Sequence, residues 1–140
     1  MTATLTVRPF EARDRDAHRA LWAGVFPDAP PWNAPEVMIE SKLKVQPELL
    51  LVGEVAGAMV GAVMAGYDGV RGWIYHLAVA PAWRRRGFAT QLVRAAESGL
   101  RALACPKVNI QIRAGNSEVI AFYRRLGFEI EERVSMGRRF

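Results

Sequence analysis

The sequence predicts an α+β fold built on one mixed, mostly antiparallel sheet of six to seven strands, flanked by about four helices. In the first half of the chain, short apolar or alternating runs are joined by turn residues, a pattern typical of antiparallel strands. In the second half, apolar runs alternate with longer amphipathic runs, which indicates strand–helix–strand order. No repeat, low-complexity segment or linker interrupts the chain, so a single domain over residues 1–140 is expected.

Local signals predict a strand and two helices at the start of the chain. Residues 4–8 alternate apolar and polar side chains, as a half-buried strand does. Asp14 is a suitable N-cap for the first helix. Asn33 is a suitable N-cap for the second, because Glu36 then occupies the third position of a capping box.

Turns and caps predict the remaining elements. Ala56-Gly57 joins two apolar runs and is a strong hairpin signal, and Gly127 is a suitable C-cap for the last helix. In chain order the predicted elements are a strand at 4–8, helices at 14–23 and 34–46, strands at 49–55, 58–65 and 73–79, a helix at 88–103, a strand at 107–113, a helix at 117–126, and a last pair of strands at 128–133 and 134–140.

Composition restricts the class of protein. Apolar residues make up 51% and charged residues 24%, which is ordinary for a globular domain. The net charge of +5 favours an anionic partner but does not choose among nucleic acid, membrane and a phosphorylated cofactor. Cys105 is the single cysteine, so no internal disulfide is expected. His18 and His76 are the only histidines and lack metal-ligand spacing with Cys or acids, so no metal site is expected. Without a signal sequence or membrane-length apolar run, we expect a cytoplasmic protein that does not bind membranes.

The segment Arg84-Arg85-Arg86-Gly87-Phe88-Ala89-Thr90 is the strongest functional signal. It follows an apolar run and opens an amphipathic helix, whose first amides lack partners and whose dipole favours an anion. Gly87 and Ala89 leave room for a phosphate to approach the backbone, and the arginines add permanent charge. The segment predicts a phosphate site, with a solvated basic turn as the alternative.

These residues resemble the GNAT superfamily of acetyl-CoA-dependent N-acetyltransferases. The family's phosphate loop, Gln/Arg-x-x-Gly-x-Gly/Ala, matches residues 84–89, and the preceding 77–83 fits the usual strand ending. Residues 116–128 match a later family helix that ends in Phe-Tyr-x-x-x-Gly-Phe. The stretches 31–33, 66–69 and 105–107 further resemble a small bacterial branch, the YpeA-type acetyltransferases.

The resemblance implies acetyl-CoA as the co-substrate and assigns residues to it. Amides from Arg86 through Ala89, with Thr90, hold the pyrophosphate, and the strand bulges so that its backbone pairs with the pantetheine arm. Asn116 contacts that arm, although helix capping explains it equally well. The implied cofactor-binding residues are Leu77, Ala78, Val79, Arg84, Arg85, Arg86, Gly87, Phe88, Ala89, Thr90 and Asn116.

The resemblance also implies a general acid. Tyr123 occupies the family position beside the departing sulfur, and a tyrosine with its ordinary pKa of about 10 can donate a proton there. The alternative is that Phe122 and Tyr123 are both core aromatics of an amphipathic helix.

The general base is left open by the sequence. Many relatives carry Glu or His where this chain has Trp73 and Tyr75, while strand alternation is expected to send His76 to the opposite face from Tyr75. Besides Tyr123, the expected catalytic residue is therefore Tyr75, which holds a water that takes the amine proton, with Tyr67, Asp68 or Glu36 as candidate helpers. The expected substrate-side residues are Trp32, Asn33, Tyr67 and Asp68, unless these only brace their turns.

The expected function is transfer of acetyl from acetyl-CoA to a primary amine in a ternary complex. The acceptor is left open between a small molecule, a protein N-terminus and a protein lysine, and the oligomeric state is open, with a homodimer as one option. The main rival is a catalytically weak acyl-CoA-binding regulatory module. Nucleic-acid binding is not expected, because no motif for it accompanies the positive charge. A dinucleotide site is not expected either, because the full Gly-x-Gly-x-x-Gly series is missing.

Overall fold

The computed structural model describes residues 3–140 of the chain. Its contacts divide the chain into two compact units, the first ending at Ile110 and the second comprising Gln111–Phe140. The first unit holds the sheet and three helices, and the second holds one helix. A single domain over the whole chain stays a prediction.

Five strands form one mixed sheet in the order β1-β2-β3-β4-β5 within the described residues. The first three pairs of neighbouring strands are antiparallel and β4–β5 is parallel, which confirms a mixed, mostly antiparallel sheet. The strands are β1 Thr6–Pro9, β2 Leu50–Val55, β3 Ala58–Tyr67, β4 Gly72–Val79 and β5 Val108–Ile110. The helices are α1 Arg15–Val25, α2 Pro35–Leu43, α3 Phe88–Ala102 and α4 Ser117–Arg125.

The predicted count of six to seven strands is wrong. Residues 128–133 and 134–140 form no strand, and the strand predicted at 107–113 is limited to Val108–Ile110. The reason is visible in the side chains of the last segment. Ile130, Val134 and Met136 alternate along the segment but are all exposed, so the apolar face they would form in a strand is not buried against the sheet.

The predicted cap of α2 is also wrong. Asn33 lies inside a short 3₁₀ turn, where its amide donates to the carbonyl of Pro30 at 2.8 Å. The N-cap of α2 is Ala34, and Pro35 occupies the first helical position, where its missing amide costs nothing. Pro30, whose carbonyl closes the 3₁₀ turn, and Pro35, at the first helical position, thus place the N-cap one residue later than the capping-box pattern predicts.

An ion-pair cluster joins β1, β2 and the start of α1. Arg8 donates to both carboxylate oxygens of Asp14, at 2.7 and 2.9 Å, and to Glu54 on β2. Asp14 also accepts the amide of Glu11 at 2.8 Å. Arg8 holds the pKa of Asp14 below its ordinary value, so the carboxylate stays ionised although it is buried. The sequence Arg8-Pro9 with Asp14 therefore serves to position the helices that follow.

One face of the sheet packs against α1 and α2. Its core contains Trp22, Ile39, Leu50, Met64 and Ala78. The opposite face packs against α3 through small residues: a Cβ at Gly61 would lie 2.8 Å from Leu92, and one at Gly72 would lie 3.1 Å from Leu100. These glycines let α3 approach the sheet closely.

His18 is a fully buried residue of the α1 face. Its ring lies edge-on to Trp22 at 4.1 Å and to Phe10 at 5.6 Å, and neither ring nitrogen has a hydrogen-bond partner within residues 3–140. Burial lowers the pKa of His18 to about 4, against a smaller opposing effect of the Asp14 carboxylate. His18 is therefore neutral in the folded protein at neutral pH.

We expect His18 to make the fold sensitive to acid. Because its pKa is depressed in the folded state, the unfolded chain binds the extra proton between pH about 6.5 and about 4, and stability falls as the pH falls through that window. The full effect is about 3 kcal/mol in the free energy of unfolding. Urea titrations of wild type and His18→Leu at several pH values measure it. Equal pH slopes for the two proteins would contradict the assignment.

Candidate active site

A β-bulge interrupts β4 at its centre. Ala78 pairs with Ala62 and Tyr75 pairs with Met64, so His76 and Leu77 together face the single residue between those two on β3. His76 has a left-handed backbone, with φ of 49°, which few non-glycine residues adopt. The expected bulge is thus present, and it lies just before Ala78 and Val79.

The bulge corrects the prediction for His76. Its ring packs against Trp22 and Phe26 of α1, at centroid distances of 5.2 and 4.9 Å. Tyr75 pairs with Met64, whose side chain belongs to the same α1 face. His76 and Tyr75 therefore share a face, because strand alternation does not hold through a bulge. The ring of His76 therefore packs among aromatic side chains of α1.

The pairing between strands β4 and β5 ends partway along β4. Their last pairing joins Ile74 to Ile110, where β5 ends, while β4 continues to Val79. The stretch of β4 beyond Ile74 has no strand beside it on that edge within the described residues. Apart from the carbonyl of Val79, which accepts from Arg84, its backbone groups on this edge have no strand partner and can pair with an extended ligand.

The loop after β4 leads into a helix start without a side-chain cap in the described residues. Arg85 and Gly87 both have left-handed backbones, with φ of 63° and 78°, and α3 begins directly after Gly87. No side chain in residues 3–140 caps this helix, and its first helical bond runs from the amide of Gln91 to the carbonyl of Gly87. The amides before Gln91 are consequently open, as the phosphate-site prediction requires.

The three arginine side chains of the loop at residues 84–90, the arginine loop, make different contacts. Arg84 donates from Nε to the carbonyl of Val79 at 3.1 Å, so it ties the loop to the end of β4. The guanidinium of Arg86 lies 4.9 Å from the ring centroid of Trp83, within cation–π distance. Arg85 is exposed. The helix start carries no acidic residue in its first turn, so the loop presents positive charge to solvent.

Trp73 and Tyr75 form an aromatic surface on the α1 face of β4. Their rings stack at 6.5 Å, and Tyr75 is 42% exposed. Burial of the phenol, followed by the nearby Asp68 carboxylate, raises the pKa of Tyr75 above its ordinary value. The hydroxyl of Tyr75 thus stays protonated at neutral pH.

The side chains of Tyr67 and Asp68 form hydrogen bonds within the turn that contains them. Asp68 accepts the amides of Val70 and Arg71 at 2.7 and 2.8 Å, and these bonds hold its pKa below the ordinary value. The hydroxyl of Tyr67 donates to the carbonyl of Gly69 at 3.0 Å. These contacts favour the turn-bracing interpretation over direct substrate contact.

The connection between α1 and α2 carries the other substrate-side residues. Trp32 is half exposed and Asn33 is partly buried, and both lie in the 3₁₀ turn that precedes α2. Glu36, in the first turn of α2, is exposed.

The second unit contains Asn116 and Tyr123, the remaining predicted residues. Asn116 accepts the amide of Val119 at 3.4 Å, so the capping interpretation has direct support. Tyr123 is buried, with Phe122 and Phe128 edge-on to its ring at 4.9 and 5.3 Å. Burial raises the pKa of Tyr123 to about 12. The phenol therefore stays protonated over the whole neutral and mildly alkaline range.

The described residues contain neither a metal-binding cluster nor a helix suited to cross a membrane. No group of three or more His, Cys, Asp or Glu side chains in residues 3–140 is arranged to hold a metal ion. No helix in that part of the chain combines the length and apolarity that a membrane crossing needs.

A bulged strand that leaves its neighbour and leads into a positively charged helix start fits the class of acyltransferases that use a phosphorylated acyl donor. Comparison with known proteins gives the family. Residues 11–128 match the acetyltransferase (GNAT) family. The chain belongs to this family, and acetyl-CoA is its acyl donor.

Relatives and a solved structure agree with that assignment. An acetyltransferase of Yersinia enterocolitica is 50% identical over 109 residues, covering 78% of this chain and 77% of the relative. An acetyltransferase of Pectobacterium atrosepticum is 42% identical over 135 residues, covering 96% and 95%. In fold, the chain is similar to AAC(6')-Iy in complex with the bisubstrate analogue CoA-S-monomethyl-acetylneamine, with a TM-score of 0.82, 22% identity, and coverage of 98% and 99%.

Sequence reasoning missed two residues beside the aromatic surface. Lys42, on α2, is buried although it is charged, and the side chain of Gln46 bonds both backbone groups of Tyr67. A signal for Lys42 was available: it stands three residues after the buried Ile39, so a helix places both on one face. Gln46 has a left-handed backbone, with φ of 51°, which nothing in the sequence pattern indicates.

Proposed function

We propose that this acetyltransferase moves the acetyl group of acetyl-CoA to a primary amine by direct attack in a ternary complex. The observation that carries the proposal is the course of β4. Its backbone leaves β5 after Ile74, bulges at His76 and runs into the loop that opens the first amides of α3. A strip of free backbone ending in an anion site suits a long ligand with a pyrophosphate at one end.

The loop residues are proposed to hold the pyrophosphate. Amides from Arg86 to Ala89 and the hydroxyl of Thr90 supply the donors, and Gly87 supplies the space. A Cβ built on Gly87 meets no atom of the described chain within 4 Å, so the approach to these amides is open. Arg84 contributes by holding the loop against Val79.

The stretch Leu77 to Val79 is proposed to orient the pantetheine arm and the thioester. The carbonyl of Val79 already accepts from Arg84, which leaves Leu77 and Ala78 as the better candidates for this pairing. An amide aimed at the thioester oxygen stabilises the negative charge that develops there during attack.

The chemistry requires one bond to form and one to break. The neutral amine nitrogen attacks the thioester carbon, the carbon–sulfur bond breaks, and the amine proton passes to water. Tyr123 is proposed to donate to the departing sulfur. Because its pKa of about 12 exceeds that of an ordinary thiol, about 8.5, its role is hydrogen-bond donation to the thiolate more than complete proton transfer.

The proton of the incoming ammonium is proposed to leave through water held by Tyr75. The raised pKa of Tyr75 makes its phenol a poor base but a good hydrogen-bond donor and acceptor. Asp68 is a weaker candidate, since two amides already occupy its carboxylate. Glu36 is the remaining carboxylate among the predicted helpers.

The acceptor is proposed to approach from the α1 face, between the Trp32–Asn33 turn and the aromatic surface of Trp73 and Tyr75. The structural neighbour AAC(6')-Iy is an aminoglycoside N-acetyltransferase, so aminoglycosides belong in any acceptor panel. Free amino acids, polyamines and peptides with a free N-terminus or lysine complete it.

Calorimetric titration with acetyl-CoA and a thiol-release assay against the panel test the proposal. We expect binding of acetyl-CoA, and thiol release above the hydrolysis background with at least one amine, its product identified by mass. Binding without turnover on any amine would instead support the acyl-CoA-binding regulatory module.

A further inference from the structure

Lys42 is a buried cation without an ionic partner on the acceptor side of the sheet. It lies on the inner face of α2 and is only 9% exposed. No carboxylate lies within ion-pair distance of its ammonium group in residues 3–140, and no hydrogen bond is found for it there. The charge of Glu48 partly opposes the lowering of the Lys42 pKa, but Glu48 is exposed and too far away to form a direct ion pair.

The ammonium group of Lys42 lies directly over β3. Its Nζ is 3.6 Å from the point where a Cβ on Gly66 would be, so the missing side chain of Gly66 provides the space. Gly66 pairs with Trp73 on β4, and paired residues project to the same face about 5 Å apart. Lys42 therefore borders the aromatic surface of Trp73 and Tyr75.

This arrangement is unfavourable for the folded protein alone. Burial disfavours the charged form of Lys42 and lowers its pKa, and the Glu48 carboxylate offsets this only in part, without a direct ion pair. Gln46 holds the end of β3 in place under this lysine by accepting the amide of Tyr67 at 2.8 Å and donating to its carbonyl at 2.9 Å. A largely buried cation without a direct ion pair can be stabilised by an anion from outside the described chain.

The donor's pyrophosphate cannot be that anion. Lys42 lies beside the start of β4, and the arginine loop follows its end. An eight-residue strand separates the two by roughly 20 Å. The acceptor approaches at the Lys42 end under the proposed function, so the anion belongs to the acceptor.

We propose that Lys42 binds a carboxylate of the acceptor, so that the preferred acceptors are primary amines that also carry a carboxylate. The inference rests on the proposed function and narrows its substrate class. Tyr75 lies two residues further along β4 than Trp73, about 7 Å away. The reacting amine and the carboxylate are therefore several bonds apart, as in ω-amino acids and not in α-amino acids.

Matched acceptors test this. We expect the wild type to favour δ-aminovalerate or ε-aminocaproate over the corresponding carboxamide by about tenfold in kcat/KM, the effect of one charge-assisted hydrogen bond. Lys42→Met and Lys42→Gln should bring the ratio to about one, mainly by raising KM for the carboxylate. The exposed Lys44, changed to Met, is the control and should keep the wild-type ratio.

A second readout separates this inference from the proposed function. Titration of the same acceptor pairs into protein saturated with CoA measures the carboxylate preference without turnover, and thermal melts check that the variants fold. If the wild type acetylates amines but shows equal kcat/KM for both members of each pair, the Lys42 inference is wrong and the function stands. If no amine is acetylated, the function is wrong, and equal affinities of the CoA-saturated protein for carboxylate and carboxamide overturn the inference as well.

Discussion

Gly87→Asp is expected to weaken acetyl-CoA binding by at least about 100-fold, since placing like charges together costs several kcal/mol. Gly87 precedes α3 with a left-handed backbone and open space in front of it. A carboxylate there would repel the phosphates. It would also neutralise part of the positive end of the helix dipole, which otherwise attracts them. Calorimetric titration at low ionic strength measures the loss, because salt screens exposed charges.

Gly87→Asn is the matched control for that experiment. Asparagine has nearly the same size as aspartate and tolerates the left-handed region about as well, so it reproduces bulk and strain without charge. We expect Gly87→Asn to lose about tenfold at most in affinity. Similar affinities for wild type, Gly87→Asn and Gly87→Asp would show that the phosphates bind elsewhere.

Tyr123→Phe is expected to lower kcat by about 100-fold while changing acetyl-CoA affinity little. One hydrogen-bond donor to charge that develops in the transition state typically contributes this much. With the pKa of Tyr123 at about 12, its deprotonation should cause no fall in kcat between pH 7 and 10 in the wild type. Steady-state kinetics across that range, with calorimetry for acetyl-CoA, test both statements.

The fold of the Tyr123→Phe protein should be intact. The ring keeps its contacts with Phe122 and Phe128, and a buried hydroxyl is exchanged for a hydrogen without leaving a cavity. Phe122→Leu serves as the neighbouring control, since it changes packing on α4 and should leave kcat within a few-fold of wild type. An unchanged kcat in Tyr123→Phe would remove Tyr123 from catalysis.

Periodicity and turn residues sufficed to predict most of the fold. The hairpin around Ala56-Gly57, β4 and α3 lie close to their predicted bounds, because each combines a strong apolar pattern with a clear turn. The prediction of the last two strands was wrong. Charged and apolar residues alternate at 128–140, but no partner surface in the described residues buries the apolar ones. A pattern alone does not establish that a partner strand exists.

Part of the candidate site could be predicted because its signals are adjacent residues. The glycine and the amphipathic run after it predict the open helix start at 84–90, which the structure shows, while its phosphate-binding role stays a prediction. The bulge depends on register between β3 and β4, which local alternation does not encode, and His76 was therefore assigned to the wrong face. The buried position of the Lys42 side chain depends on Gly66, more than twenty residues away in the chain, because the absent side chain of Gly66 leaves room for the ammonium group.

The connection between β1 and β2 bears on how such a protein changes over evolutionary time. These two strands are sheet neighbours, yet α1, α2 and the proline-rich turn lie between them in the chain, and the ends of this insertion are held by the bond from the amide of Phe10 to the carbonyl of Leu50. Doubling the length of a flexible loop costs only about 0.6 kcal/mol of closure entropy. The segment between α1 and α2 can therefore gain or lose residues, and a new acceptor can be accommodated, while β4 and the arginine loop keep the same donor.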